Sequence, residues 1–182
     1  KAYISKHLYA ADDFTTQLGF AKNNSEIANL YLIRHLNNPF IDLTAIDSIV
    51  KYEPNHPQLK LILTRELNKF EELEGKEKYY VYTHGFRYFY ASVDYEDEMA
   101  SNKNLPPLSA FKKQVESLDV WKKSNKDQFH LFMTHLNILL LNMPEAKESL
   151  AKVAGSSKDI VFQKHVYATC IVASGKNTES VK

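Results

Sequence analysis

Seven histidines, a run of carboxylates and a belt of tyrosines are the residues of this chain whose chemistry could do more than fill a core. A histidine metal site needs ligands that converge on one point, as HExxH does on one face of a helix, or thiolate pairs spaced as CxxC. Neither pattern occurs in the chain. His130 and His135 lie five apart, which on a helix turns their rings away from a common ligand point. Partly exposed histidines without a metal are the expectation. The acidic cluster Asp94, Glu96, Asp97 and Glu98 offers carboxylates for general acid and base work, yet contiguous carboxylates with no basic neighbour describe a solvated helix end. No Gly-rich phosphate loop and no G-x-S-x-G elbow is present, and five glycines leave little backbone to cradle an anion. No residue is set aside for catalysis, metal or cofactor, so a non-enzymatic protein is expected.

The tyrosines are the stronger signal. Between Tyr79 and Tyr95, Tyr79, Tyr82, Phe86, Phe89, Tyr90 and Val93 follow a helical step over four turns. The β-branched and aromatic bias of Tyr79 to Thr83 would suit a strand, but a lone strand finds no partner elsewhere in the sequence. A helix is therefore expected here. Tyr80, Tyr82, His84, Arg87, Tyr88 and Tyr90 are the candidate binding residues, because exposed Tyr and Arg are the types that anchor protein interfaces. The favoured occupant is a peptide or protein partner. The rival reading is a small-ligand binder or enzyme whose pocket lies under the aromatic helix 79–95, with His84, Arg87 and a tyrosine hydroxyl as its polar groups. Tyrosines also stack on bases, but 23 basic against 22 acidic side chains leave a formal charge of +1 and no field to draw in nucleic acid. Packing of these aromatics between helices is the alternative fate, since aromatics dominate cores as often as interfaces.

The elements that must position these residues are helices. Ile4, Leu8, Ala11, Phe14 and Leu18 mark a first helix from Tyr3 to Phe20. Asn23 and Glu26 form a capping box ahead of a second helix that must end before Pro39. Asp42 caps a third, with Ile41 packing on Ile46. The turn Tyr52–Pro57 then opens a long helix carrying Leu59, Ile62, Leu63, Leu67, Phe70 and Leu73 up to Gly75, so the third and fourth helices form a hairpin. Asn104, Pro106 and Pro107 make the clearest break, and any subdomain boundary of an otherwise single domain, 1–182, is expected near 103–107. Leu108 to about Trp121 reads as one helix, followed by a solvated connection at Lys122–Lys126. From Asp127 the most apolar run in the chain gives a helix that Asn142 stops. Asn142, Pro144 and Glu145 start its partner in a capping box, Ala146, Leu150 and Val153 give that partner its stripe, and Gly155 closes it in a left-handed conformation. Ser156 with Asp159 caps the last helix, which carries Ile160, Tyr167, Cys170 and Ile171 before Gly175 and a frayed polar tail.

The fold class that follows is all-α, with about eight helices in stacked antiparallel hairpins. A length of 182 residues with 44% apolar content suffices for a core without disulfide or metal staples. Cys170, the only cysteine, reads as a small buried apolar residue. Apolar runs such as Ile138–Leu141 are too short to span a bilayer, so no membrane span is expected. Because no Met precedes Lys1, the chain is read as processed or trimmed, and a soluble protein, cytoplasmic or exported after signal-peptide removal, is expected.

The stretch AIDSIVKYEPNHP, Ala45 to Pro57, resembles the second helix and closing turn of a tetratricopeptide repeat, and PEAKESLAKV, Pro144 to Val153, resembles the same helix. YATCIVASGKNTES, from Tyr167, is similar to the end of a repeat's first helix and lies 32 residues downstream of HLNILLLNMPEAKE, from His135, in register, near the family period of about 34. The Trp-Leu-Gly signature is missing, and residues 76–126 fit no repeat register. The resemblance covers about half the chain and implies an α-solenoid of stacked hairpins with a concave surface for a peptide or protein, and no catalysis. SEIANLYLIRHL, Ser25 to Leu36, with the hairpin after it, also resembles the helical region ahead of the thioredoxin-like domain in some bacterial envelope oxidoreductases. That likeness implies a helical accessory region of an envelope protein, without the redox chemistry, since CxxC is absent.

Overall fold

Side-chain caps set several helix boundaries, and they do so largely where the sequence places them. The computed structural model describes residues 11–78 and 106–179, with side chains for 14–71 and 106–172. The chain is all-helical over this range, with no strand among the described residues. No described helix is long and apolar enough to cross a membrane. The chain divides into two compact units, Lys1–Phe70 and Glu71–Lys182. The expected break at 103–107 falls mostly outside the described residues.

The first unit holds α1 (Ala11–Phe20), α2 (Asn24–Asn37), α3 (Leu43–Tyr52) and the start of α4 (Leu59–Lys78). Asn23 Oδ1 accepts from the Glu26 amide at 2.9 Å, and Glu26 Oε2 reaches back to the Lys22 amide at 2.7 Å, one residue earlier than in an ideal capping box. Pro39 ends α2 at Asn37 as its missing amide requires. Asp42 caps α3 through the Ala45 amide at 3.2 Å. Phe14 meets the Tyr31 ring edge-on at 5.2 Å, and Tyr31 stacks on Tyr52 at 6.0 Å. Ile46, Ile49, Ile62, Leu63 and Phe70 are buried. The long helix does not stop at Gly75 but continues to Lys78, because a single helical glycine costs only about 1 kcal/mol against alanine.

The second unit is organised around α7. It contains α5 (Leu108–Glu116), α6 (Asp119–Ser124), α7 (Lys126–Leu139), α8 (Met143–Ala151) and α9 (Lys158–Glu179), and α7 packs on each of the others. Trp121 lies edge-on to Phe129 and Phe132 at 6.2 and 6.3 Å, and Phe111 meets Phe132 at 6.0 Å. Burying such a ring is worth about 1.5–3 kcal/mol, which makes this aromatic cluster the anchor of the unit.

Several boundaries differ from expectation. The helix expected over Leu108–Trp121 is two, broken at Ser117 and Leu118, where the Ser117 hydroxyl donates to the Gln114 carbonyl at 2.7 Å and competes with the helical ladder. The connection expected at Lys122–Lys126 narrows to Asn125. The α7–α8 turn is a Schellman motif, with the Asn142 amide donating to Asn137 O at 2.8 Å and Leu141 to Ile138 O at 3.0 Å. Leu141 therefore takes the left-handed position, φ 57°, where glycine would be unstrained. Asn142 holds the cap position of α8 without accepting from its amides, and Glu145 turns instead to Lys112 Nζ at 2.5 Å, so the expected capping box does not form. Gly155 has no positive φ. Its role is close approach: a Cβ there would meet Ile160 Cδ1 at 2.5 Å and Asp127 Oδ2 at 2.9 Å. Ser157 rather than Ser156 caps the last helix, through the Ile160 amide at 3.4 Å. That helix runs past Gly175 to Glu179.

Candidate functional site

The six residues read from the sequence as a binding surface, Tyr80, Tyr82, His84, Arg87, Tyr88 and Tyr90, lie outside the described residues, as does the expected helix 79–95 around them. Where side chains are described, three constellations stand out: one polar cluster in each unit, and the outward face of α9.

In the first unit α4 carries Glu66 and Lys69 on the side that should be apolar, between Leu63 and Phe70, and both are buried. Glu66 Oε2 accepts from the Asp42 amide at 2.9 Å, while Lys69 Nζ donates to Phe40 O at 2.6 Å and to Glu66 Oε1. His35 Nε2 stands 3.1 Å from Glu66 Oε1. Nδ1 of the same ring has no hydrogen-bond partner among the described residues. Burial alone would raise the Glu66 carboxyl, but His35 and the Lys69 ammonium outweigh it and hold it below its ordinary value. For Lys69 burial wins over Glu66, and the ammonium is pushed down. Burial also opposes ionisation of Asp42, and hydrogen bonds from Thr44, Ala45 and Asn38 reverse it. Glu66 and Lys69 both grip the α2–α3 loop, through the Asp42 amide and the Phe40 carbonyl.

His56, the second buried histidine, accepts from the Gln58 amide at Nδ1 (3.1 Å) and faces Asn29 Oδ1 at 3.3 Å. The expectation that the histidines are partly exposed therefore fails for His35 and His56. Among the described residues no group of three or more His, Cys, Asp or Glu is placed to hold a metal.

In the second unit His135 on α7 bridges Glu71 Oε1, 2.5 Å from Nε2, and the Tyr167 hydroxyl on α9, 3.0 Å from Nδ1. A carboxylate only accepts, so Nε2 carries the proton, and in the neutral ring the phenol donates to Nδ1. Such an acid–histidine–hydroxyl line has the connectivity of a nucleophilic triad. Its electrostatics run the other way. Burial first, then the Glu71 charge and Cys170, push the Tyr167 phenol up from its ordinary value, which keeps it a protonated donor. Cys170, half-buried rather than buried as expected, has its thiol pushed up by the same burial and is no thiolate nucleophile. Burial and the nearby Lys152, Lys126 and Lys122 hold His130 below its ordinary value.

The third feature is apolar. Phe162 and Val172 of α9 are 64% and 58% exposed, and Val161 and Val166 are exposed beside them. Ile160, Tyr167, Cys170 and Ile171 occupy the packed side. Apolar residues are thus spread around the helix, interleaved with Gln163, Lys164, His165 and Thr169, rather than gathered into a single stripe.

Glu66, Lys69, Glu71 and Tyr167 were not singled out from the sequence as site residues. For Glu66 a signal existed, since a carboxylate at the stripe position between Leu63 and Phe70 is either misplaced or paired. Glu71 and Tyr167 carried none, because their partner His135 is 64 residues from one and 32 from the other. Neither protein-family models, curated proteins nor solved structures give a match to this chain.

Proposed function

We propose that the chain is a non-enzymatic helical-repeat protein that binds a peptide or protein partner. The observation that carries this reading is the contact between His135 and Tyr167. These two residues occupy the same place in the 32-residue register of the tetratricopeptide-like resemblance, and they meet through a hydrogen bond of 3.0 Å. Equivalent positions of successive first helices touch when hairpins stack as repeats. α8 packs on both α7 and α9, as the second helix of the earlier hairpin does in such a stack. Stacked hairpins leave broad faces without a core to fill, and these serve as docking surfaces. The half-buried triad supports the same reading, since its raised phenol and internally satisfied histidine suit tethering rather than chemistry.

On the sequence, Tyr80, Tyr82, His84, Arg87, Tyr88 and Tyr90 are the residues proposed to meet the partner. Affinity capture from native extract with the wild type and with Arg87→Ala/Tyr88→Ala tests this. At least one captured protein is expected to fall by about tenfold or more, as loss of an Arg or Tyr anchor gives. If every captured protein is retained equally by the variant, binding at this surface is refuted.

A further inference from the structure

The corner where α6, α7 and α8 meet gathers positive charge that the even balance of the whole chain conceals. Only Asn125 separates α6 from α7, and helical hydrogen bonding runs through it, from the Asn125 amide to Trp121 O and from the Phe129 amide to Asn125 O, both at 2.8 Å. Lys122, Lys126 and His130 therefore follow one another at four-residue steps along one side. Lys122 Nζ lies over the Phe129 ring, 5.0 Å from its centre, and that ring meets the His130 ring edge-on at 5.3 Å. The Ala154 amide donates to Asp127 Oδ1 at 2.8 Å, which seats the end of α8, and Lys152 with it, beside the first turn of α7. Lys122, Lys126 and Lys152 are exposed, and among the described residues Lys122 and Lys126 form no ion pair. Lys152 meets Glu148 at 2.6 Å, but an exposed pair of this kind contributes little and is readily exchanged. The corner is a cationic surface whose ammoniums are open to an anion.

We infer that this corner, Lys122, Lys126 and Lys152 around His130, docks an acidic peptide segment of the partner protein. The inference rests on the partner-binding reading above and names the chemistry of the segment that is bound. From Lys122 to His130 the helical rise of 1.5 Å per residue spans about 12 Å, so the matching occupant carries several negative charges in a row rather than one. Lysine ammoniums are compact point charges on flexible stems, and they accept carboxylates without a fixed geometry. Nucleic acid fits less well. Trp121 and Phe129 are buried, which leaves neither ring open to stack on a base, and Asp127 and Glu148 oppose a continuous line of phosphates. His130 adds a proton link. Burial first, then Lys152, Lys126 and Lys122 against the opposing Asp127, hold its imidazole below the ordinary 6.5, and carboxylates laid on those ammoniums relieve the repulsion. Docking therefore takes up a proton, and affinity rises as pH falls from about 8 to about 5.5.

Fluorescence anisotropy of labelled hexaglutamate against the 182-residue protein at low salt tests this. Saturable binding is expected, weakened about tenfold in Lys122→Gln/Lys126→Gln and little changed in Lys22→Gln/Lys60→Gln, which removes the same charge from two exposed lysines of the first unit. All four residues are exposed, so both variants keep the wild-type circular dichroism spectrum, which is checked alongside. His130→Gln is expected to bind as the wild type does at about pH 8 and to lose the gain of about threefold that the wild type shows by about pH 5.5. Absence of saturable binding, or equal weakening in the two double variants, overturns the inference, and an unchanged pH slope in His130→Gln overturns its proton link. A single-stranded oligo(dT) of equal charge that binds more tightly than hexaglutamate also overturns it, since nucleic acid is then the occupant. So does a gain of about tenfold when Asp94→Asn, Glu96→Gln, Asp97→Asn and Glu98→Gln are made together, since the chain's own acidic run then holds the corner. If hexaglutamate fails while Arg87→Ala/Tyr88→Ala still loses a partner from extract, this corner is refuted and the partner-binding reading stands.

Discussion

The two polar clusters are made of similar groups in opposite surroundings. In the first unit Glu66, Lys69 and His35 are almost wholly removed from water, with exposures of 0, 5 and 0%. In the second, Glu71 and His135 keep 34 and 23% of their side-chain surface. Desolvation penalises a buried charge by several kcal/mol, and mutual attraction with hydrogen bonds recovers it only while every partner is in place. Water shares the load in a half-exposed pair, which is worth about 1 kcal/mol or less. The first cluster is therefore a brittle clamp on the α2–α3 loop, and the second a forgiving tie between α7 and α9.

Removing one member should separate them most. Glu66→Ala leaves the Lys69 ammonium buried without its counter-charge and the Asp42 amide without its acceptor, and a loss of about 3–5 kcal/mol in urea unfolding is expected. The double variant Glu66→Leu/Lys69→Met removes both charges together and is expected to cost less than Glu66→Ala alone. A double variant that is worse than the single would break the account.

Titration is the next lever, and the signs differ between units. Glu66 and Asp42 sit below their ordinary 4.5 and 3.8, so their contribution is present above those values and is lost as pH falls through the lowered ones. Tyr167 sits above its ordinary 10.0, so its contribution is present below that value and is lost as pH rises beyond it. Lys69, below 10.5, works the other way: the unfolded chain holds its proton longer, so the first unit gains as pH rises towards that value. Trp121 is the only tryptophan and reports the second unit. Tyr167→Phe is expected to flatten the alkaline loss of its signal, and Glu66→Gln to flatten the acid loss of helicity. An unchanged alkaline limb in Tyr167→Phe would place the sensitive group elsewhere.

The smallest effect is expected from Glu71→Gln, about 1 kcal/mol or less in the same urea experiment, with the His135 ring kept in place by Tyr167. A loss as large as that of Glu66→Ala would erase the contrast between the clusters.

Helix type and order were legible along the described chain because apolar spacing and local caps act within a few residues. Asn23 with Glu26, Asp42, and Pro39 each do in the structure what their chemistry dictates. Boundaries failed where a distant partner outbid the local one. Glu145 prefers Lys112, 33 residues away, to the amides beside it. Gly155 is needed for the closeness of Asp127 and Ile160, which no local turn rule anticipates. Leu141 occupies a left-handed position that its own sequence disfavours, because the Schellman bonds of α7 are made there.

The chain's own spacing of apolar and capping residues determined that this protein is helical, since that information is carried within single turns. Only the tertiary structure decided which charges are buried together and that His135 joins Glu71 to Tyr167. Burial and pairing depend on what residues far along the chain bring to the same place, and no local periodicity encodes that meeting.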